Sequence, residues 1–120
     1  MKRAYRMIAG LALAPALALA LALAGPARAA DAAGDTVAGK ALFDRHCAYC
    51  HAAGPGHAGT MRLTEARGAA KALLEERTDL DPAYVRLVVR QGLVEMPPWR
   101  KVEIDDASLA QIVAYLTRPR

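Results

Sequence analysis

The chain has 120 residues, 54% of them hydrophobic and 23% charged, with a formal net charge of +4. Lys2, Arg3, Arg6 and Arg28 supply four of its 16 basic side chains, and the 12 that follow equal the 12 acids. The basic balance therefore belongs to the N-terminal segment, carries no argument for nucleic-acid binding in the rest, and no nucleic-acid partner is expected.

Residues 1–6 form a short basic stretch, and residues 7–25 a long apolar run built mostly from Ala and Leu. Ala27-Arg28-Ala29 has the small-residue pattern of a leader cleavage site, so residues 1–29 read as a secretory signal peptide. The alternative is an uncleaved anchor, because the run approaches the roughly 20 residues that span a bilayer. Pro15 and the small-residue site favour cleavage. A basic flank keeps that end in the cytoplasm and delivers the rest outward, which places the protein in the periplasm. Membrane attachment is expected only if the segment is kept. Residues 30–120 then form a single domain with one modest core, and residues 30–34 a frayed new N-terminus.

Residues 36–46 predict a first helix, with Asp35 or Thr36 as its N-cap. It leads into Cys47-Ala48-Tyr49-Cys50-His51. Two thiols three residues apart, followed at once by an imidazole, form the attachment signature of a c-type haem. Each thiol adds across one vinyl group, and the imidazole then meets the iron from the same side. No other cysteine competes for the assignment. A redox disulfide or half of a zinc site uses the same pair, but His46 and His57 lie too near for the usual second zinc pair. One covalent haem c, held by Cys47 and Cys50 and ligated by His51, is the expected cofactor.

Residues 52–60 read as a Gly/Pro-rich loop, on which the Pro55 carbonyl accepts a hydrogen bond from His51 and fixes its tautomer. His57 reads as a loop residue. Residues 64–77 carry helix formers, with Leu73 and Leu74 as anchors and Gly68 as a dividing point. A clearer helix covers residues 82–91, with Asp81 as cap, Pro82 in its first turn and Gly92 as its stop. Tyr84, Val85, Leu87, Val88 and Val89 give it an apolar face.

Met96 precedes two prolines that stiffen the backbone and cannot continue a helix. A thioether on such a loop suits the sixth position of the iron, and His/Met ligation raises the haem potential. Met61, the competing methionine, falls only ten residues after His51 on the preceding loop. Trp99 is expected to set its ring over the pocket and its N–H toward a propionate. Arg100 and Lys101 read as propionate partners, as a docking surface, or as a solvated charge pair. Residues 107–117 predict a last helix capped by Asp105 or Asp106, with Leu109, Ile112, Val113 and Leu116 as its buried stripe and Tyr115 beside them.

With these residues in place, residues 36–117 resemble a class I cytochrome c. The resemblance implies an all-α fold, small helices wrapped around one covalently attached haem. It also implies a tight crossing of the first and last helices at Gly39 and Phe43 against Ile112 and Tyr115. Thioethers fall on Cys47 and Cys50, the proximal ligand on His51 and the distal ligand on Met96. The run from Leu73 to Lys101, with the earlier HAGTMRLT, is similar to the small cytochrome subunits of flavocytochrome dehydrogenases of the p-cresol methylhydroxylase type. Trp99 stands where Phe is expected in that group.

These readings converge on an electron-transfer protein that cycles between Fe(III) and Fe(II) and has no catalytic residues of its own. A flavoprotein dehydrogenase subunit is the expected donor, and a cytochrome, copper protein or oxidase the acceptor. A freely diffusing respiratory cytochrome is the nearest alternative. A haem enzyme or gas sensor with a labile sixth ligand is the rival from another class, and a colourless thiol-disulfide or zinc module is a further one.

Overall fold

The computed structural model describes the backbone of residues 25–120 and side chains from Thr36 onward. The basic stretch and nearly all of the apolar run expected to form a leader lie outside the described residues. The chain divides into two units, residues 1–32 and 33–120, and the second carries the core and the site. Among the described residues no helix is long and apolar enough to cross a membrane, and no strand forms beyond an isolated bridge between Leu93 and Met96.

Helix α1 spans Gly25–His46. Its helical backbone starts earlier than the expected residue 36, because the preceding alanines are strong helix formers and Pro26 falls in the first turn, where a missing N–H is tolerated. Asp35 and Thr36 consequently lie inside the helix rather than capping it. The last helix, α5, spans Asp106–Leu116. Asp105 caps it by accepting a hydrogen bond from the Ser108 N–H at 2.6 Å, which satisfies one of the free amides of the first turn.

The two helices cross where α1 has no side chain. A Cβ at Gly39 would stand 2.7 Å from the Tyr115 Cβ and would also strike the Gln111 carbonyl. Beside this contact Phe43 is fully buried, its ring centroid 5.9 Å from that of Tyr115 at an interplanar angle of 51°. Ile104, Leu109, Ile112, Val113 and Leu116 complete the centre of the core, each such side chain stabilising the fold by about 1.5–3 kcal/mol on burial. The expected stripe of α5 is the stripe observed.

Between these helices lie α2, Ala48–His51, α3, Ala58–Arg67, and α4, Pro82–Gln91. Helix α3 begins well before the expected residue 64, so the loop is shorter than the Gly and Pro content implied. Thr60 explains part of the difference: its hydroxyl donates to the Ala52 carbonyl at 2.9 Å, and Thr64 repeats the bond to Thr60 one turn on. Met61 therefore sits on a helix. Gly68, at φ +85°, ends α3, and the chain continues through 3-10 turns at Ala69–Lys71 and Leu74–Glu76. The Tyr115 hydroxyl donates to Glu75 and ties that segment to the last helix.

Helix α4 has the predicted bounds. Asp81 accepts from the Tyr84 N–H at 2.8 Å, Pro82 opens the first turn, and Gly92 ends the helix at φ +77°. Val85 and Val89 are its buried residues. Tyr84 and Leu87, expected on the same face, are exposed, at 45% and 49%. They flank the Val85–Val89 line instead of lying on it.

Candidate functional site

Cys47, Cys50 and His51 are brought together by one helical turn. The N–H groups of Cys50 and His51 both donate to the Cys47 carbonyl, at 3.1 and 2.9 Å. Helical spacing of three and four residues puts all three side chains on one side of that turn. Both thiols are free, Cys47 half-buried and Cys50 exposed. Burial, followed by the neighbouring Cys50, pushes the Cys47 thiol up to about 11, so it stays protonated at neutral pH. Burial also lowers the His51 pKa, which keeps the imidazole neutral and its lone pair available.

The two nitrogens of His51 differ. Nδ1 is buried and has no hydrogen-bond partner, because the ring edge lies against the first turn of α3. A Cβ at Gly59 would be 2.6 Å from His51 Cε1 and 2.9 Å from Nδ1. Nε2 is thus the nitrogen left for a ligand. The expected hydrogen bond to Pro55 is not formed: His51 Nδ1 has no partner, and Pro55 is exposed in a turn between Gly54 and Gly56, both at positive φ. The neighbouring His57 precedes α3, and its Nδ1 lies 3.0 Å from the Tyr49 carbonyl.

Met96 closes a tight turn. Leu93 and Met96 exchange backbone hydrogen bonds, N–H to carbonyl, at 3.0 and 2.9 Å. Val94 occupies the first inner position of this turn at φ +53°, a conformation rare for a β-branched residue. Gly92 supplies a second constraint, since a Cβ there would meet the Met96 carbonyl at 2.6 Å. Beyond the prolines, the backbone N–H of Trp99 donates to the Val89 carbonyl at 2.8 Å, and the Arg90 guanidinium donates to the Trp99 carbonyl at 3.1 Å. Arg90 also holds Asp106 at 2.9 Å, so α4, the methionine loop and the start of α5 are fastened together. Met96 and Cys47 pack on the same core as half-buried residues, whereas Met61 is exposed.

Trp99 is also half-buried against that core, and its ring meets His46 edge-on, with centroids 5.7 Å apart. Arg100, a candidate propionate partner, forms an exposed pair with Glu103 at 3.0 Å. Lys101 pairs with Asp106 at 2.6 Å. Both cations are exposed and paired with neighbouring acids.

Gly59, Thr60 and Arg90 escaped sequence reasoning, and Gly92, expected only as a helix stop, also makes the close approach to the Met96 carbonyl. Gly59 is one of three glycines in a short stretch and only its neighbours identify it; Gly54 and Gly56 would meet nothing within 4 Å. Arg90 has the spacing of an ordinary surface residue, and its acid partner lies 16 positions away. A cleft of about 220 Å³ lined by Arg77, Leu80, Thr117 and Arg118 includes none of the candidate ligands.

The residues fit a c-type haem: two free thiols and a neutral imidazole share one turn, the imidazole has one nitrogen enclosed and the other open, and a thioether packs on the same core. Residues 34–116 match the family described as cytochrome c oxidase, cbb3-type, subunit III, and the chain belongs to that cytochrome c family. Its all-α architecture is the class I cytochrome c fold. Haem and electron transport are the business of that family. Among curated proteins, the chain is 33% identical over 79 residues to the 4-cresol dehydrogenase (hydroxylating) cytochrome c subunit of Pseudomonas putida. That alignment covers 66% of this chain and 58% of the relative, so the chain spans little more than half of the relative's length. No solved structure gives a significant match.

Proposed function

We propose that this protein is a periplasmic mono-haem cytochrome c that carries single electrons, accepting them from a flavoprotein dehydrogenase subunit. The observation that carries the reading is the single helical turn holding Cys47, Cys50 and His51, with Nδ1 of His51 enclosed. Cys47 and Cys50 would hold the porphyrin edge, and His51, through Nε2, and Met96, through its sulfur, would hold the iron. Bound haem contributes the one-electron Fe(III)/Fe(II) couple. The protein's own part is to present one nitrogen and one sulfur from ordered backbone beside an apolar core. None of the residues named is an acid, base or nucleophile at work, so the chain is an electron carrier rather than the catalyst.

Likeness to the cytochrome subunit of a hydroxylating dehydrogenase supports a flavoprotein donor. The apolar N-terminal run and Ala27-Arg28-Ala29 support export, and residues 1–29 serve as the signal peptide. An optical spectrum of the purified protein, oxidised and reduced, with and without carbon monoxide, tests the site. Sharp reduced bands, a weak sulfur-to-iron band in the oxidised form and no response to carbon monoxide are expected. A rapid carbon monoxide shift would instead make the chain a haem enzyme or sensor with an open position. Intact mass of the periplasmic protein is expected to show one haem and loss of residues 1–29.

A further inference from the structure

His51 has a nearest neighbour that is defined by what it lacks. A Cβ at position 59 would meet His51 Cε1 at 2.6 Å, His51 Nδ1 at 2.9 Å and the Cys50 carbonyl at 2.9 Å. Real Cβ atoms do not approach so closely, and two of the three contacts are with the ring itself. Backbone strain does not explain the glycine, because Gly59 is absent from the positive-φ positions, which include Gly54 and Gly56. Close approach is the remaining reason for a glycine here.

The next residue, Thr60, is the buried polar side chain of the described residues, at 7% exposure. Its hydroxyl donates to the carbonyl of Ala52, the residue directly after His51, at 2.9 Å. This bond closes the loop from 52 to 60 and brings the start of α3 back onto the imidazole. The ring is therefore bounded on one edge by bare backbone at Gly59, and the distance of that backbone is set by Thr60.

We propose that Gly59 and Thr60 are positioning residues that set the plane of the His51 imidazole on the haem iron, Gly59 by contact and Thr60 through the Ala52 carbonyl. The proposal rests on the haem reading given above. A ring held only by its own Cα–Cβ and Cβ–Cγ torsions has a broad distribution of planes. Here the missing side chain allows one edge to dock and excludes rotations that would drive Cε1 into α3. Adding a methyl group forces the ring to turn or α3 to retreat. Removing the Thr60 hydroxyl leaves the Ala52 carbonyl unpaired and lets the first turn of α3 drift.

The test is the low-spin ferric electron paramagnetic resonance signal of the matured, haem-loaded full protein, because its highest-g feature reports the orientation of the imidazole plane. Gly59→Ala is expected to shift that feature, Thr60→Val to broaden it, and Thr60→Ser, which keeps the hydroxyl, to restore the wild-type line. Gly56→Ala serves as the strain control: its φ of +90° makes the substitution unfavourable, but it meets no neighbour within 4 Å. It is expected to lower the melting temperature and leave the signal in place. If Gly59→Ala does not accumulate, the Val/Ser pair at position 60 decides the matter alone. A signal unchanged in both Gly59→Ala and Thr60→Val, or moved equally by Gly56→Ala, overturns the proposal while leaving the haem reading intact. A wild-type protein with no covalent haem overturns the haem reading, and this proposal with it.

Discussion

His51 stands on a helical turn whose hydrogen bonds run to Cys47, four residues back, and its ring rests on a backbone eight residues ahead. Met96 stands on irregular chain. Its turn is closed by Leu93, but its place in the molecule depends on Val89, Arg90 and Asp106, which belong to two other helices. One side of the candidate haem site is thus built from nearby sequence, and the other from tertiary contacts. The local side is the side that also carries both thiols. On the proposed haem reading, attachment and ligation by His51 are expected to survive damage to the Met96 loop, whereas ligation by Met96 is expected to need the whole fold.

The largest effects expected follow from removing each ligand in turn. His51→Ala should abolish stable haem incorporation, read by in-gel haem staining. Met96→Ala should keep the covalent haem yet admit carbon monoxide, read by the reduced spectrum; equal losses in both variants would erase the asymmetry.

Gly92→Ala comes next. The backbone there is at φ +77° and a Cβ would sit 2.6 Å from the Met96 carbonyl. Strain of this kind costs about 1–3 kcal/mol, so chemical denaturation should show a loss in that range together with a weakened sulfur-to-iron band. A stability loss with the band unchanged would mean that the Met96 turn does not depend on Gly92.

Val94→Gly should move the other way. Val94 holds φ +53° with 82% of its surface exposed, so the substitution relieves strain and removes little packing. Glycine's greater unfolded-state freedom offsets part of the gain, and a net stabilisation of about 1 kcal/mol is expected. A destabilised Val94→Gly protein would show that the valine side chain has a use that the strain conceals.

The smallest effect is that of pH. Glu103, Asp105 and Asp106 have their carboxyl groups held below the usual range, by Arg100, by the Ser108 N–H, and by Lys101 with Arg90 respectively. Asp79 is held lower still, by Arg77 and Lys71. Groups depressed in the folded state bind protons more readily when unfolded, so the stability they contribute is present above the ordinary values, 3.8 for Asp and 4.5 for Glu. It is lost as pH falls below those values toward the folded ones. The melting temperature should drop across that window and should respond to salt, since all four groups are exposed. Asp106→Asn should flatten the acid limb of that melting curve, and an unaltered limb would show that the pairs with Lys101 and Arg90 contribute nothing there.

Much of this was legible from residue order. The spacing of Cys47, Cys50 and His51 defines a turn by itself, because helical hydrogen bonds join residues three and four apart. Asp81-Pro82 and Gly92 mark both ends of α4 for the same local reason, and the stripe of α5 follows from its period. Boundaries failed where a distant or unremarked contact intervened. Helix α3 starts early, at Ala58, where Thr60 bonds back to Ala52, and Arg90 found its acid partner on another helix.

Sequence alone determined the chemistry that this protein offers: two thiols, an imidazole and a thioether, in an order and spacing that belong to a haem-carrying fold. Tertiary structure decided how those groups are held. Gly39, Gly59 and Gly92 look alike as letters, yet each admits a different neighbour, Tyr115, His51 or the Met96 carbonyl. Close approach is a property of two segments at once, so it becomes visible only when both are in place.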